Sequence, residues 1–269
     1  MRRAIDCIMY NGEADIMNIR FAELRDVITE FIVIEGTTTF TGRSKALCFE
    51  RDAKIHGWDL SNVKYHPFDP PTLTAEMSAW DIERAQRNHI ANLIDHLHDS
   101  DLLLISDADE IPKARLIRTC LSSVNGDLWG FEMTTSYFRL NFVLGEPQVL
   151  ARSICTIGVD RKSLRNRTAD ELRLGIRYHE IPAQIVQDGG WHFSYLMDND
   201  GILEKLASFS HQELNTPAIR NAINIDEMLI GSKDLFSREG YTWTIGEIET
   251  LPECVKDNLE QFEKWIVKI

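Results

Sequence analysis

The sequence has few cysteines, and their distribution excludes two common ways of stabilising a small domain. Five cysteines are scattered through 269 residues, and none forms a CxxC pair. The odd number and the wide spacing argue against a disulfide framework and against a zinc knuckle. A reducing compartment suits such a chain, so we expect a cytoplasmic location.

Long apolar runs and an excess of positive charge are also missing. No stretch approaches the roughly 18 apolar residues of a membrane span, and no secretion signal is evident, so we expect no membrane span. The 29 lysines and arginines are outnumbered by 42 aspartates and glutamates, which gives a net charge of −13. That charge repels phosphate backbones, so nucleic acid is not an expected partner. A phosphate-bearing ligand would need a metal ion or local cationic side chains.

Two catalytic motifs are absent as well. There is no GxxxxGK[ST] loop, which disfavours kinases and NTPases of the P-loop type, and no HExxH motif, which disfavours metallopeptidases. No internal repeat and no linker divides the chain. We therefore expect a single domain over residues 1–269.

Apolar strands alternate with amphipathic helices in the first part of the chain. Strand patterns cover Ala4 to Tyr10, Phe31 to Glu35, Val63 to Tyr65 and Leu102 to Ile105, and a long helix is predicted over 80–97. This alternation predicts an α/β fold with a mostly parallel, Rossmann-like central sheet and helices on both faces.

The pattern changes after residue 126. Longer, half-exposed strands are predicted over Trp129 to Phe142 and Ala151 to Asp160. A basic, polar loop is predicted over Arg161 to Arg173. Helices are predicted over 201–209 and 217–230.

The sharpest local signal is a group of acids at the end of a buried strand. Asp107, Asp109 and Glu110 follow Leu102–Ile105, and Pro112 is predicted to open a helix. Ligands of open α/β sheets bind at the carboxyl ends of strands. Two aspartates separated by one residue can bind one hard cation, Mn²⁺ or Mg²⁺, while substrate phosphates take other positions. The alternative is that Asp109 caps the helix and Asp107 is solvated.

Six segments, ordered along nearly the whole chain, together resemble one family. They are Asp6-Cys7-Ile8-Met9-Tyr10-Asn11-Gly12-Glu13, Val33-Ile34-Glu35, Thr41-Gly42-Arg43-Ser44-Lys45, Gln86-Arg87-Asn88, Ser106-Asp107-Ala108-Asp109-Glu110-Ile111-Pro112 and Gly190-Trp191-His192-Phe193-Ser194-Tyr195. The set resembles the β-1,4-mannosyl-glycoprotein β-1,4-N-acetylglucosaminyltransferases, the family that adds bisecting GlcNAc, and their microbial relatives. The resemblance implies a GT-A fold, an inverting mechanism, a UDP-GlcNAc donor, Mn²⁺ and a carbohydrate acceptor. It further implies that 1–125 bind the nucleotide sugar and metal, and 126–269 the acceptor.

Polar residues after the first two strands lie where a GT-A sheet would bind the nucleotide. Asn11 and Glu13 follow the first strand, and their alternative role is to cap the next helix. Glu35 ends the second strand, Gly42 permits a tight turn in the following loop, and Lys45 brings positive charge towards a diphosphate. A lysine in a loop is often only solvated.

Arg87 shares a helical face with Ile90 and Ile94, so it is not expected to be a free surface arginine. It can pair with Glu83 one turn earlier, reach the nucleotide, or do both.

His192 is the predicted third metal ligand. The segment Gly-Trp-His belongs to the family resemblance, imidazole suits Mn²⁺, and Gly189 and Gly190 would let the chain approach a ligand closely. Alternation in an extended segment would turn Trp191 and Phe193 away from the face that His192 uses. The alternative is a core histidine bonded to backbone.

An inverting transfer needs a base for the acceptor hydroxyl. Glu213 and Glu110 are the first candidates for this base, and Glu132 is the next. Glu110 could instead orient the metal ligands.

Two other functions remain open. A sugar nucleotidyltransferase would have a glycine-rich, basic loop after the first strand, whereas Asn11 to Asp15 is acidic and poor in glycine. A catalytically silent carbohydrate-binding protein on the same scaffold would use exposed tryptophans to stack sugars, although core packing is the commoner role of tryptophan. The tryptophans considered are Trp58, Trp80, Trp129, Trp191 and Trp243.

Overall fold

The computed structural model describes residues 2–123, 127–145 and 152–268. Within them, ten strands form one sheet, in which β10-β7-β6-β8-β4-β1-β2-β3 are successive neighbours and β9 pairs with β5 and β6. The strands are β1 Ala4–Tyr10, β2 Glu30–Gly36, β3 Val63–Phe68, β4 Leu102–Asp107, β5 Glu110–Pro112, β6 Trp129–Tyr137, β7 Phe142–Leu144, β8 Arg152–Asp160, β9 Gln184–Ser194 and β10 Trp243–Ile245.

The helices flank this sheet. They are α1 Ala14–Leu24, α2 Phe49–His56, α3 Ala79–Asn88, α4 Ala114–Ser122, α5 Ala169–Arg177, α6 Asn199–Ser208, α7 Pro217–Ala222, α8 Ile225–Ile230 and α9 Glu253–Lys256. Short 3₁₀ turns cover His89–Asn92, Arg161–Arg165, Gln212–Leu214, Ile248–Thr250 and Glu263–Trp265.

The predicted α/β fold with helices on both faces is confirmed. Strands β4, β1, β2 and β3 are parallel neighbours. Because successive residues of a strand point to opposite faces, Leu102 and Leu104 pack with α1, α2 and α4, while Leu103 and Ile105 pack with α5. Strands β1, β2 and β4 are therefore buried on both faces, which explains their largely apolar sequences, whereas the edge strand β3 is only partly buried.

The other half of the sheet is mixed. Strand β8 runs antiparallel to β4, and β6 antiparallel to β8, whereas β9 is parallel to β6. The predicted strand over 129–142 is interrupted after Tyr137, because Phe138 adopts a left-handed backbone conformation (φ 62°). The expected boundary between 125 and 126 and the first residue of the predicted strand 151–160 lie outside the described residues.

Three predicted elements need correction. The helix predicted over 80–97 ends at Asn88, whose side-chain oxygen accepts a hydrogen bond from the Asp170 amide (3.0 Å). Residues 161–173 are not a loop, because Thr168 caps α5 in a capping box with Glu171. The helix predicted over 217–230 is divided into α7 and α8, since Asn224 caps the second of them.

Pro112 does not open a helix. It lies in β5, opposite Gly190 of β9, and α4 begins only at Ala114.

All five cysteines are free thiols, as the absence of a disulfide pattern predicted. No helix in the described part of the chain has the length and apolar character needed to cross a membrane.

Candidate functional site

A cavity of about 670 Å³ lies at the carboxyl ends of β1, β2 and β4. The walls also include residues of α3, α5, α6 and β9. Eight of the predicted site residues line it: Asn11, Glu13, Lys45, Arg87, Asp107, Asp109, Glu110 and His192. Glu35, Gly42, Glu132 and Glu213 are not part of the lining.

A buried arginine holds the acidic turn, Asp107 to Glu110, in place. Arg20 of α1 is fully buried and donates to both oxygens of Asp6 in β1 (2.6 and 2.8 Å). Its other nitrogen donates to the backbone carbonyls of Asp107, Ala108 and Glu110 at 2.8–3.2 Å. Because five donors fan out from one guanidinium, a single residue ties β1 to the turn after β4.

Asp107 stands between two arginines. One carboxylate oxygen lies 2.9 Å from Arg173 of α5 and the other 3.3 Å from Arg87 of α3. Burial raises the pKa of Asp107, but the charges of Arg173 and Arg87 outweigh it and hold the pKa well below its usual range. Arg87 also pairs with Glu83 (2.6 Å), as the helical spacing predicted, and with Asp170 (2.5 Å).

Glu110 is committed to the interior of this turn. Both of its oxygens accept hydrogen bonds from Arg173 (2.6 and 2.8 Å), and one also accepts from the Asp107 amide (2.9 Å). A carboxylate bound in this way is poorly placed to take a proton from an acceptor. Its geometry favours the alternative in which Glu110 orients the neighbouring aspartates.

Asp109 faces a lysine and a histidine. Lys205 of α6 lies 3.2 Å from one carboxylate oxygen, with its amine 4.9 Å from the ring centre of Tyr195. His192 Nε2 lies 3.8 Å from the other oxygen, and its Nδ1 lies 3.7 Å from the Cys155 thiol. Burial lowers the pKa of His192, but Cys155 and Asp109 outweigh it and raise the pKa to about 9.

Gly190, two residues before His192, lies where two strands pack closely. A Cβ at Gly190 would lie 2.1 Å from the Ile111 carbonyl oxygen, so its absence lets β9 pack against β5, and the approach of this segment to a ligand stays a prediction. Trp191 and Phe193 do point away from His192, as predicted, into an apolar cluster. Gly42 has a φ of 80° and closes a tight turn onto the Thr39 carbonyl (2.9 Å), as predicted.

The predicted nucleotide-binding residues differ in their surroundings. Glu13 occupies the N-cap position of α1, but its side chain accepts no hydrogen bond from the first-turn amides; the carboxylate instead accepts from the Asn11 amide (2.7 Å) beside the cavity. Glu35 is buried and accepts hydrogen bonds from Lys45 (2.8 Å), Tyr65 (2.8 Å) and the Cys48 amide (2.9 Å). Glu35 thus anchors the loop that carries Lys45, and its contact with a nucleotide stays a prediction.

The side chains around Asp107 and Asp109 are of the types that bind a divalent cation, but in this structure they are not grouped around one point. Two carboxylates and an imidazole are suitable Mn²⁺ donors. However, arginines and Lys205 already contact the carboxylate oxygens, and no three acids, histidines or cysteines of the described residues are grouped around one point. Lys205 occupies one oxygen of Asp109, so a cation bound through that oxygen would displace the amine.

The cavity is more positive than the protein as a whole. Among the described residues that line it, seven lysines and arginines face six aspartates and glutamates, a formal balance of +1 against −13 for the chain. The cationic residues are Lys45, Arg84, Arg87, Arg173, Arg177, Lys205 and Arg238. Such a wall attracts an anionic ligand that the rest of the surface repels.

Sequence reasoning missed Arg20, Arg173 and Lys205. Arg20 lies three residues after Met17 on the apolar stripe of α1, and Asp6 interrupts an apolar strand; together these signal a buried ion pair. The capping box at Thr168 would have revealed α5, and hence Arg173. We find no local signal for Lys205.

Comparisons with known proteins agree with this geometry. The family model for glycosyltransferase family 17 matches residues 1–257. The chain is 28% identical over 233 residues to the β-1,4-mannosyl-glycoprotein 4-β-N-acetylglucosaminyltransferases of Rattus norvegicus and Homo sapiens. The match covers 77% of this chain but 43% of those proteins, so the chain spans less than half their length.

Solved structures give weaker similarities. Glucosyl-3-phosphoglycerate synthase from Mycobacterium tuberculosis, bound to Mn²⁺, UDP and phosphoglyceric acid, is 13% identical with a TM-score of 0.43, over 95% of this chain and 91% of that one. Inositol-1-phosphate CTP transferase from T. maritima is 9% identical with a TM-score of 0.39, over 99% and 98%. Similarities this distant do not discriminate between transfer of a sugar and transfer of a nucleotide.

Proposed function

The chain belongs to glycosyltransferase family 17, and from this premise we propose that it is an inverting, metal-dependent N-acetylglucosaminyltransferase. It takes GlcNAc from UDP-GlcNAc and transfers it to a carbohydrate acceptor. The observation that carries the proposal is the pair Asp107 and Asp109 at the end of β4, inside a cavity that is positive in an acidic protein. The choice of GlcNAc follows the names of the curated relatives.

Asp107, Asp109 and His192 would hold the Mn²⁺ or Mg²⁺. The cation would supply Lewis-acid stabilisation for the negative charge that develops on the departing diphosphate. Arg87 lies 3.3 Å from Asp107 and Lys205 lies 3.2 Å from Asp109, so both cations would be placed to bind the diphosphate beside the metal. The Arg87 Nε is buried and has no hydrogen-bond partner among the described residues, so a ligand oxygen would satisfy it.

Residues from the first half of the chain would bind the rest of the nucleotide. Asn11 and Glu13 lie on the cavity wall after β1, and Lys45 lies there on the loop that Glu35 and Gly42 shape. The acceptor would enter over residues of 126–269. Trp80 of α3 is 39% exposed on the cavity wall and offers a face for a sugar ring.

Thermal stabilisation by nucleotide sugars tests the donor and the metal together. UDP-GlcNAc, UDP-glucose, UDP-GalNAc and GDP-mannose are compared with Mn²⁺ or with a chelator. We expect UDP-GlcNAc with Mn²⁺ to stabilise the protein most, since a ligand at about 100 times its dissociation constant adds roughly 2.7 kcal/mol. Stronger stabilisation by GDP-mannose would exclude the proposed donor.

Release of UDP tests catalysis. The protein is incubated with UDP-GlcNAc, Mn²⁺ and a panel of soluble oligosaccharides that includes mannosides, and free UDP is measured. A transferase releases UDP faster with its acceptor and slowly with water. Tight binding of UDP-GlcNAc without any release would instead identify a silent carbohydrate-binding protein.

A further inference from the structure

The segment after α6 brings a histidine to the cavity wall. His211 lines the cavity, and 49% of its side chain is exposed. Its ring stands edge-on to Trp80 of α3, with centroids 4.4 Å apart and an interplanar angle of 83°. This contact restrains the ring while its exposed part stays accessible to a ligand.

The loop that carries His211 is held firmly. The side-chain Nε2 of Gln212 donates to the carbonyls of Leu206 (3.1 Å) and Phe209 (2.7 Å), which fastens the loop to the end of α6. The Ser210 hydroxyl donates to Glu83.

Through Glu83 the loop is connected to the acidic turn. Glu83 accepts a hydrogen bond from Arg87 (2.6 Å), and Arg87 lies 3.3 Å from Asp107. Ser210, the residue before His211, therefore belongs to a chain of contacts that ends at Asp107, a predicted metal ligand.

The two ring nitrogens of His211 have different surroundings. Nδ1 lies 2.6 Å from a carboxylate oxygen of Glu213, and no described residue hydrogen-bonds Nε2. A carboxylate at Nδ1 holds the proton on that nitrogen, which leaves the lone pair of Nε2 free to accept another.

The charged groups of α3 on the same wall do not compete for the ring. Glu83 is bound by Arg87 and Ser210, and Arg84 pairs with Asp81 (3.1 Å) and Asp170 (3.3 Å).

We propose that His211 is the catalytic base of the transfer and that Glu213 is the positioning residue that orients it. This inference rests on the proposed function. Nε2 of His211 takes the proton of the acceptor hydroxyl while the hydroxyl oxygen bonds to the anomeric carbon. The bond from that carbon to the phosphate oxygen breaks, and its electron pair leaves with UDP. The imidazolium then releases its proton to solvent.

The test compares His211→Ala and Glu213→Gln with a matched control pair elsewhere. His96 Nε2 lies 2.8 Å from a Glu30 oxygen at the start of β2, whereas the cavity lies at that strand's other end, so His96→Ala removes the same kind of pair away from the site. The pH dependence of UDP release from UDP-GlcNAc, with water and with the best saccharide of the panel, is measured beside the affinity for UDP.

We expect His211→Ala to lower kcat about 10²–10⁴-fold and to remove the loss of rate at acidic pH that protonation of a base causes. Affinity for UDP should change less than about twofold, which also shows that the variant is folded. Glu213→Gln should lower kcat less and leave the affinity for UDP unchanged, because the ring loses the carboxylate that orients it but keeps the base itself. His96→Ala should leave every readout unchanged.

Two results would overturn the assignment of His211. One is normal kcat in His211→Ala; the other is a lower kcat with the acidic loss of rate unchanged, which indicates a structural role. His211→Gln replaces His211→Ala if the latter does not fold. Failure of the unaltered protein to release UDP under any condition would instead overturn the proposed function, and the role of His211 with it.

Discussion

The parallel strands β1–β4 and the mixed strands β6–β9, with the helices beside them, both contribute charged side chains to one cavity. Asp107 and Asp109 come from the end of β4, whereas Arg173, Lys205 and His192 come from α5, α6 and β9. In the first half, helices alternate with buried strands, and Arg20 and Arg87 hold the acids at the end of β4 in place. In the second half, the cations reach the same place from three separate elements.

This division indicates how the acidic turn is tolerated. Carboxylates on a partly buried turn are costly unless positive charge or hydrogen-bond donors offset them. Arg20 and Arg87 supply donors from the first half, and Arg173 and Lys205 supply further positive charge from the second half. The two halves are thus coupled electrostatically, and substitutions in each should have different consequences.

Arg20→Leu should have the largest effect, because it breaks the support that the first half provides by itself. It leaves Asp6 charged and buried, and we expect a loss of about 3–5 kcal/mol of unfolding free energy in urea titration. Arg25→Leu, at an exposed position just after α1, is the control. The double variant Asp6→Leu with Arg20→Leu should recover part of the loss; no recovery would show that the ion pair is not the source.

Asp109→Asn should show how the charge of Asp109, where the two halves meet, affects catalysis without affecting the stability of the fold. The amide keeps the size of the side chain, so we expect nearly unchanged stability, kcat at least about 100-fold lower, and UDP-GlcNAc binding that no longer depends on Mn²⁺. Asp188→Asn, at an exposed ion pair with Lys113, is the control. Near-normal transfer by Asp109→Asn in the presence of Mn²⁺ would refute the role of Asp109 as a ligand.

Lys205→Met should weaken the contribution of the second half alone. Loss of the amine beside Asp109 should lower the affinity for UDP about 10–100-fold in calorimetry, while Lys205→Arg should retain much of it. Lys233→Met, at an exposed position, is the control. If UDP binds Lys205→Met as tightly as the unaltered protein, Lys205 only balances Asp109.

Asp234→Asn should have the smallest effect of the four. It should lower the unfolding free energy through contacts within the second half. Burial raises the pKa of Asp234, but its hydrogen bonds with Arg238 outweigh burial and lower the pKa. A lowered folded-state pKa stabilises the protein above the unfolded pKa of about 3.9, and that stability is lost as the pH falls.

We therefore expect Asp234→Asn to cost about 1–2 kcal/mol at pH 7, and the difference from the unaltered protein to shrink below about pH 4. Urea titrations at several pH values measure it, with exposed Asp257→Asn as the control. A difference that does not change with pH would mean that packing, not charge, is lost.

Prediction from sequence succeeded where a pattern is local. Strands β1, β2 and β4 follow from largely apolar runs, and the pairing of Arg87 with Glu83 follows from helical spacing. It failed where side-chain hydrogen bonds decide the boundaries, since Asn88, the last residue of α3, bonds the first turn of α5 and Thr168 caps α5. Periodicity alone does not show such side-chain hydrogen bonds.

The sequence by itself determined that Asp107 and Asp109 end a buried strand of an α/β fold, because strand and acids are adjacent in the chain. Only the tertiary structure decided which side chains face them. Arg173 and Lys205 lie 66 and 96 residues from the aspartates they contact, and crossover connections bring them there. Glu213 was predicted as a base, yet in the structure its carboxylate contacts His211. The conformation of the loop, and not the order of its residues, determines which side chain reaches the cavity.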